Sequence, residues 1–502
     1  MRPALPPCPP SWPAAARVLR RAVAVRAARA GLGTLLLALA GALGAAGAPQ
    51  RPDALPPEVD QALQRARIPA SALAVVVRDA ASGREVLAHN ESRPVNPASL
   101  AKLIVTTAAL EQLGPAWTWV TPVWLQGPVR DGVLDGSVFV RGSGDPKLVI
   151  ERVWLLLRRI QQAGVREIRG DIVLDNGAFV LPPGSAADFD GQPTRPYNVR
   201  PSALLLNYHV VTYTFVPDAT AGVARVIAEP ELAATTFDRS VPLASGPCED
   251  WAGALKAVFE PGRTRFTGRF PAACGTLSWP VADPHPASYN ARLVDALWRE
   301  MGGRLGGQVR EGNAPTATPP SFELRSPPLL EVVREINKFS NNVMADNLAL
   351  TLAAQAAGPG RPATPAMARE HLQRWLEARI GELPGETVLD NGSGLSRSKR
   401  IGAAQLAQLL QRAYDGPTMS ELMSSLPISG VDGTMRRARA TPGRAHLKTG
   451  SLDEVSGRAG YVLSDSGRRY VLVVVVNHER AQAARPALDA LLAWVMRDAP
   501  PR

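Results

Sequence analysis

A hydroxyl and an amine lie three positions apart near the start of a predicted helix. They belong to Ser99 and Lys102, in the run Ser-Leu-Ala-Lys, and side chains three residues apart share one face of a helix. A lysine partly buried among Leu and Ile side chains is disfavoured as an ammonium, so its neutral amine can take the serine proton. The helix N-terminus also favours the nascent alkoxide. The pair predicts a serine nucleophile with a lysine general base, although this spacing also occurs by chance.

Two further motifs follow in the chain. Ser-Asn-Asn at 340–342 lies between two predicted amphipathic helices, and Lys-Thr-Gly at 448–450 precedes predicted strands. Taken singly, the first could cap the helix that begins at Val343, and the second could be a surface turn. Together with the Ser-x-x-Lys run they match, in the required order, the motifs S-x-x-K, S-D-N and K-T-G of penicillin-binding proteins and class A β-lactamases. The middle motif has Asn in place of Asp.

With these three motifs, the chain resembles the D-alanyl-D-alanine carboxypeptidase/endopeptidases of the penicillin-binding protein 4 type, the peptidase S13 group. About 240 residues separate Ser99 from the second motif. Simple β-lactamases have no room for such an insertion, whereas this family carries extra domains there. The resemblance extends from about residue 55 to about residue 500. Five other stretches also resemble the family: GSGDP at 142–146, RPYNV at 195–199, DNGSGLSR at 390–397, GVDGTM at 430–435 and Asn-His at 477–478.

The resemblance implies an acyl-enzyme mechanism that uses no cofactor and no metal. Ser99 would attack the terminal D-Ala-D-Ala bond of a peptidoglycan stem peptide, and the backbone N–H groups of Ser99 and Ser451 would hold the oxyanion. β-Lactam antibiotics mimic this bond and would acylate the same serine. The implied roles are catalysis for Ser99, Lys102, Ser340 and Lys448, and substrate binding for Asn342, Thr449, Gly450, Ser451, Arg397 and Asp453. For Arg397 and Asp453 an ordinary surface ion pair is the alternative.

Composition and charge exclude several classes of protein. The 502 residues are 45% hydrophobic and contain only 3 Cys, which excludes a disulfide-built scaffold. No long apolar stretch follows residue 50, so a polytopic membrane protein is excluded as well. Six Arg lie within the first 30 residues, and without them the formal charge falls from +11 to about +5. With no basic run that carries interleaved aromatics, a nucleic-acid partner is not expected.

Residues 1–48 are predicted to be a cleavable signal peptide, because an Arg-rich segment is followed by the apolar run 31–48, which ends in small residues. An uncleaved membrane anchor is the alternative, and peripheral membrane or wall association remains open. Export to the periplasm would leave Cys248 and Cys274 as a pair in an oxidising compartment, where we predict a disulfide. Two buried thiols are the alternative. The six His show no spacing typical of a metal site.

The predicted helices and strands that carry the three motifs indicate an α/β (α+β) fold. A penicillin-binding or serine β-lactamase-like transpeptidase domain would be built from both chain ends, residues 52–119 and 283–500, around an inserted mostly-β region at 120–282. Helices are predicted from Pro97 to before Gly114 and at 291–301, 329–339, 343–354 and 481–496. Strands are predicted at 72–77, 138–140, 172–174, 210–215, 223–227, 459–463 and 470–476. The run 470–476 is apolar almost throughout, as a central strand would be.

Two other functions fit parts of this pattern. A serine β-lactamase would use the same motifs but would turn over a bound penicillin rapidly. A non-catalytic peptidoglycan-binding protein would bind the cell wall through the insertion and would release no D-Ala.

Overall fold

The computed structural model describes residues 54–438 and 442–498. The predicted signal peptide, residues 1–48, lies outside the described residues. In the part of the chain that is described, no helix has both the length and the apolar character that crossing a membrane would require.

A five-stranded antiparallel sheet, here called the central sheet, joins the two ends of the chain. Its order is Glu85–His89, Leu73–Asp79, Arg469–Asn477, Val455–Leu463 and Ala445–Leu452. The middle strand is buried along residues 470–476, as its apolar sequence predicts. Val471, Val473 and Val475 enter one core, while the alternate residues of this strand enter a second core on the other face. Helices therefore cover both faces of the sheet.

The helices on the first face carry two of the three motifs. They are Lys102–Leu113, Leu329–Phe339, Asn342–Ala357, Pro365–Ile380, Ala403–Tyr414 and Met419–Ser425. The second face is covered by Pro57–Ala66 and Arg485–Met496. Helix Lys102–Leu113 is buried along residues 102–110, because most of its side chains are apolar on every face. The helix ends at Gly114. The predicted helix bounds at 329–339 agree with the structure, and the other predicted helices are present with shifted ends.

The residues between the first and second motifs build two further groups of sheets. In the first group, a five-stranded sheet has the order Val309–Glu311, Ile172–Asp175, Ser137–Arg141, Val120–Gln126 and Phe322–Arg325. A small sheet accompanies it, in the order Arg304–Leu305, Glu167–Ile168, Val133–Leu134 and Val129–Arg130. Helices Ile150–Gln162 and Pro286–Glu300 share a hydrophobic core with these strands.

The second group is all β apart from the short helix Trp251–Ala254. One sheet has the order Phe270–Pro271, Ser240–Ala244, Val223–Glu229, Val210–Asp218 and Leu277–Ala282. The other has the order Thr236–Phe237, Arg263–Phe266 and Ala257–Glu260. Short 3₁₀ turns connect elements throughout the chain, at Ala70–Ala72, Ala98–Ala101, Pro196–Asn198, Asn207–His209, Ala272–Cys274, Gly433–Met435 and Ala481–Ala484. A disulfide joins Cys248 to Cys274, with 4.9 Å between their Cα atoms.

The strand pairing bears on the predicted boundary at residue 283. Strand Val309–Glu311 pairs with Ile172–Asp175, and Phe322–Arg325 pairs with Val120–Gln126. Leu297 and Leu324 lie in the same core as the strands of 120–282. The division into a catalytic and an inserted part stays a prediction, and this pairing favours a second boundary near residue 326 over one at 283.

Candidate active site

Ser99 lies in the 3₁₀ turn Ala98–Ala101, directly before helix Lys102–Leu113. Asn96 holds this turn, because its Oδ1 accepts the N–H of Ala98 at 2.9 Å. The backbone N–H of Asn96 donates to Asn477 Oδ1 at 2.7 Å, and Asn477 Nδ2 donates back to the Asn96 carbonyl at 3.0 Å. Two hydrogen bonds therefore connect the serine turn to the end of the middle strand of the central sheet.

Lys102 is fully buried and makes three hydrogen bonds. Its Nζ lies 3.0 Å from Ser99 Oγ, 2.7 Å from Asn342 Oδ1 and 2.5 Å from the Ser393 carbonyl oxygen. Burial lowers the pKa of Lys102 to about 7, against the opposing charge of Asp346. Near neutral pH a neutral amine is therefore available within hydrogen-bonding distance of the serine hydroxyl.

The second motif forms the turn between helices Leu329–Phe339 and Asn342–Ala357. Ser340 ends the first helix in a left-handed conformation, with φ 58° and ψ 37°. Its Oγ accepts a hydrogen bond from Lys448 Nζ at 2.8 Å. The helix-capping role that the sequence suggests for this motif belongs to Asn341, whose Oδ1 accepts the N–H of Met344 at 3.1 Å. Ser340 is thus free to contact the third motif.

The third motif lies within the strand Ala445–Leu452, so the alternative of a surface turn is wrong. Lys448 is fully buried, and its Nζ also donates to the Thr449 carbonyl at 2.8 Å. Burial lowers the pKa of Lys448 well below its ordinary value, and the charge of Lys102 lowers it further. The two lysines therefore lie in one water-poor cluster, each hydrogen-bonded to a serine hydroxyl.

The strand Ala445–Leu452 is at the edge of the central sheet. The N–H of Leu447 donates to the Pro427 carbonyl at 2.9 Å, away from the neighbouring strand Val455–Leu463. Backbone direction alternates along a strand, so the N–H groups of Thr449 and Ser451 point outward on the same side. An extended peptide could pair with this edge and place a carbonyl at the Ser451 N–H.

Gly450 allows this strand to lie against the serine turn. A Cβ at this position would be 2.7 Å from the Pro97 carbonyl oxygen and 3.1 Å from Leu100 Cγ. Beside it, the Thr449 hydroxyl donates to Thr434 Oγ1 at 2.8 Å. Gly450 therefore has a steric role in this packing, and its role in substrate binding stays a prediction.

The segment 189–199 borders the cluster. Asn342 Nδ2 donates to the Tyr197 carbonyl at 3.0 Å, and the Tyr197 hydroxyl donates to Asp190 Oδ2 at 2.8 Å. Burial and the Asp190 carboxylate raise the pKa of the Tyr197 phenol, and the charge of Asp453 adds to this shift. Asp453, which is exposed at the hairpin turn after Ser451, therefore lies within electrostatic range of Tyr197.

Arg397 contacts the same segment. Its guanidinium lies 4.8 Å from the centre of the Phe189 ring and donates to the Phe189 carbonyl at 3.2 Å. Arg397 thus contacts the segment 189–199, and the charge of Asp453 acts on Tyr197 of the same segment. Neither residue forms a salt bridge with another described residue.

Several residues of the site were missed in the sequence. Ser393, Asp346 and Lys399 surround Lys102 from other segments. Ser393 lies in the DNGSGLSR stretch, which resembles the family without indicating a contact. Asp346 could have been found, because it is four residues after Asn342 and so lies on the same helix face.

We expect Gly394→Ala to slow acylation of the serine by about a hundredfold. A Cβ at Gly394 would be 1.9 Å from the Ala98 carbonyl oxygen, and φ there is +80°, so the Ser99 turn must move. The measurement is the rate of benzylpenicillin acylation. Gly385→Ala is the matched control, since nothing lies within 4 Å of a Cβ there. An unchanged rate in Gly394→Ala would show that acylation does not depend on the present position of the Ser99 turn.

Comparison with known proteins identifies the family of this chain and two of its relatives. The model of the D-Ala-D-Ala carboxypeptidase 3 (S13) family matches residues 55–497. A D-alanyl-D-alanine carboxypeptidase of Actinomadura sp. (strain R39) is 27% identical over 440 residues, which cover 84% of this chain and 80% of the relative. The D-alanyl-D-alanine carboxypeptidase DacB of Haemophilus influenzae is 24% identical over 394 residues, covering 78% and 82%. The predicted family is confirmed.

The fold also resembles solved structures. The crystal structure of penicillin binding protein 4 (dacB) from Haemophilus influenzae superposes with a TM-score of 0.70 at 21% identity, and the match covers 87% of this chain and 98% of that one. The same protein complexed with a β-lactam gives a TM-score of 0.66. The predicted fold class, a penicillin-binding type of transpeptidase fold with mixed helices and sheets, is confirmed.

Proposed function

Because the chain belongs to the D-Ala-D-Ala carboxypeptidase 3 (S13) family of peptidases, we propose that Ser99 is the nucleophile of a serine D-Ala-D-Ala carboxypeptidase and endopeptidase that cleaves peptidoglycan stem peptides. The observation that supports this most is the distance of 3.0 Å between Ser99 Oγ and the Nζ of the buried Lys102. Hydroxyl and base meet in a site whose low polarity keeps the base neutral.

In the acylation step, Ser99 Oγ attacks the carbonyl carbon of the terminal D-Ala-D-Ala bond while its proton moves to Lys102 Nζ. The carbonyl oxygen becomes an oxyanion, and the backbone N–H groups of Ser99 and Ser451 are the proposed donors to it. The outward direction of the edge strand at Ser451 supports this assignment. Asn342 accepts a hydrogen bond from Lys102 Nζ and donates one to the Tyr197 carbonyl, which supports a role for Asn342 between the base and the substrate backbone.

The tetrahedral intermediate then collapses as the C–N bond breaks and the amine of the terminal D-Ala leaves. Ser340 Oγ accepts a hydrogen bond from Lys448, which leaves the Ser340 proton free to donate to that amine. Lys448, as an ammonium beside the substrate carboxylate, replaces the Ser340 proton and becomes neutral, while the Ser99 proton stays on Lys102. Lys448 and Thr449 would also receive the substrate carboxylate at the outer side of the edge strand.

The acyl-enzyme is resolved when water attacks the ester. The water proton passes through Ser340 to the neutral Lys448, and Lys102 returns its proton to Ser99 Oγ as the ester C–O bond breaks. Carboxypeptidase and endopeptidase action share these steps and differ in the amine that departs. A β-lactam follows the first step, but its ring opens without releasing an amine from the site, so the adduct persists. Arg397 and Asp453 are proposed to contact the stem peptide beyond the cleaved bond, since Arg397 packs on Phe189 and the charge of Asp453 acts on Tyr197.

The periplasm is the proposed location. Peptidoglycan stem peptides are found outside the cytoplasmic membrane, and the disulfide between Cys248 and Cys274 is typical of an oxidising compartment. The Arg-rich segment and the apolar run in residues 1–48 support export. Edman sequencing of protein recovered from the periplasm tests this, and a mature chain that retains residues 1–48 would contradict the cleavable signal.

The direct test of the proposed function is D-Ala release from a synthetic peptide that ends in D-Ala-D-Ala. We expect release from this peptide and little from the same peptide with an amidated C-terminus, because the amide lacks the carboxylate that Lys448 and Thr449 would bind. Binding of peptidoglycan without any release of D-Ala would instead favour the non-catalytic alternative.

The pH profile gives a further prediction. Lys102 must be neutral to act as base, and burial lowers its pKa from 10.5 to about 7. The rate of acylation should therefore rise as the pH rises towards about 7 and level off above it, because the proton on Lys102 is lost over this range. Acylation by benzylpenicillin at a series of pH values measures this. A rate that rises only near pH 10 would mean that Lys102 has an ordinary pKa.

A further inference from the structure

One carboxylate lies among the buried lysines of the site. Asp346 Oδ1 accepts the backbone N–H of Ser393 at 2.8 Å. The carbonyl of Ser393 in turn accepts a hydrogen bond from Lys102 Nζ at 2.5 Å. The backbone of this one serine therefore connects the Asp346 carboxylate to the amine that contacts Ser99.

A third buried amine lies within electrostatic range of this carboxylate. Lys399 is 2% exposed, and its Nζ donates to the Asn391 carbonyl. Burial lowers the pKa of Lys399 to about 8, against the charges of Asp346 and Asp390. The proposed chemistry uses neither Lys399 nor Asp346, although burying both charges is costly.

We propose that Asp346 and Lys399 are positioning residues of opposite effect, which together set how readily Lys102 accepts the Ser99 proton. Asp346 stabilises the ammonium that forms on Lys102 during attack, and Lys399 destabilises it. This inference rests on the proposed function, since it takes Lys102 to be the general base.

The physical reason is the charge that proton transfer creates. When Lys102 takes the proton, a cation appears where water is excluded, and charge interactions there are stronger than in water. The negative charge of Asp346 raises the pKa of Lys102, and the positive charge of Lys399 lowers it, in addition to the larger effect of burial. Other charged groups surround these three residues. Lys448 acts on Lys102, and Asp390 acts on Lys399. Asp346 lines a cavity of about 170 Å³ together with Arg200, Arg369 and Asp390.

Two substitutions separate charge from shape. Asp346→Asn keeps an oxygen that accepts the Ser393 N–H but removes the negative charge. Lys399→Met keeps an unbranched buried side chain but removes the positive charge. A structural role would slow both variants without moving the pH at which acylation begins, whereas an electrostatic role moves that pH in opposite directions.

The experiment follows benzylpenicillin acylation of the full-length protein against pH. We expect the midpoint of the rise to move down by about one pH unit in Asp346→Asn and up by about one unit in Lys399→Met. The plateau rate of Asp346→Asn should also fall several-fold, since its Lys102 is a weaker base. Asp145→Asn is the matched control with no expected shift, because this buried carboxylate accepts the Lys147 N–H at 2.8 Å and faces Lys147 and Arg152.

The inference is overturned if both variants keep the wild-type midpoint or move it in the same direction. Should Asp346→Asn fail to fold, the direction in Lys399→Met decides alone, and a midpoint that stays or moves down overturns the inference. If Lys102→Gln acylates at the wild-type rate, the proposed function itself fails. A normal wild-type profile with unmoved variants therefore counts against this inference only.

Discussion

Ser99→Ala is expected to lower D-Ala release by about 10⁴-fold or more, because no other hydroxyl can take over the attack. Ser340 is the other hydroxyl of the cluster, and it is held by Lys448 at 2.8 Å. The variant should keep its fold and its ability to bind peptidoglycan, since Ser99 contributes only a small side chain to the turn. The measurements are D-Ala release, circular dichroism and cosedimentation with peptidoglycan.

Ser424→Ala is the matched control for this prediction. Ser424 is an exposed helical serine whose hydroxyl donates to the Glu421 carbonyl at 3.1 Å, and its loss should leave the rate unchanged. Activity of Ser99→Ala within tenfold of the wild type would rule out this residue as the nucleophile.

Lys102→Gln is expected to slow acylation by about 10³-fold, which is within the range of general base catalysis. Glutamine can still hydrogen-bond Ser99 and Asn342, but it does not accept a proton at neutral pH. The rise of the rate near pH 7 should disappear with the base. Stopped-flow acylation by a chromogenic cephalosporin measures both effects.

Stability distinguishes loss of the base from loss of the fold in this variant. Burial lowers the pKa of Lys102 in the folded protein below its unfolded value, so protonation of this lysine opposes folding as the pH falls from about 10 towards about 7. At neutral pH the uncharged glutamine should therefore leave the melting temperature unchanged or raised. Lys256→Gln, at an exposed position, is the control for a lost surface charge. A slow variant with a strongly lowered melting temperature would point to unfolding instead.

The parts of the site that were predictable depend on short-range patterns. Ser99 and Lys102 are three residues apart, so helical geometry alone predicts their contact. The helix at 329–339 has a clear apolar periodicity, and its end at Ser340 is where the structure turns. The run 470–476 is apolar almost throughout, as expected of a central strand covered on both faces.

The remaining parts depend on contacts between distant segments. The bond from Lys102 to the Ser393 carbonyl joins residues 291 positions apart, and neither residue type indicates it. Lys399 follows several polar residues and gives no sign of burial. The pairing of Val309–Glu311 with Ile172–Asp175 was not predicted, because strands this short carry too little alternation to be recognised.

The most direct measurement is mass spectrometry of the intact protein after treatment with benzylpenicillin, followed by peptide mapping. We expect the added mass of one penicillin per chain, stable over many minutes and located on the peptide that contains Ser99. An adduct on another residue would contradict the assignment of the nucleophile, and rapid loss of the adduct with continued penicillin hydrolysis would identify a β-lactamase instead.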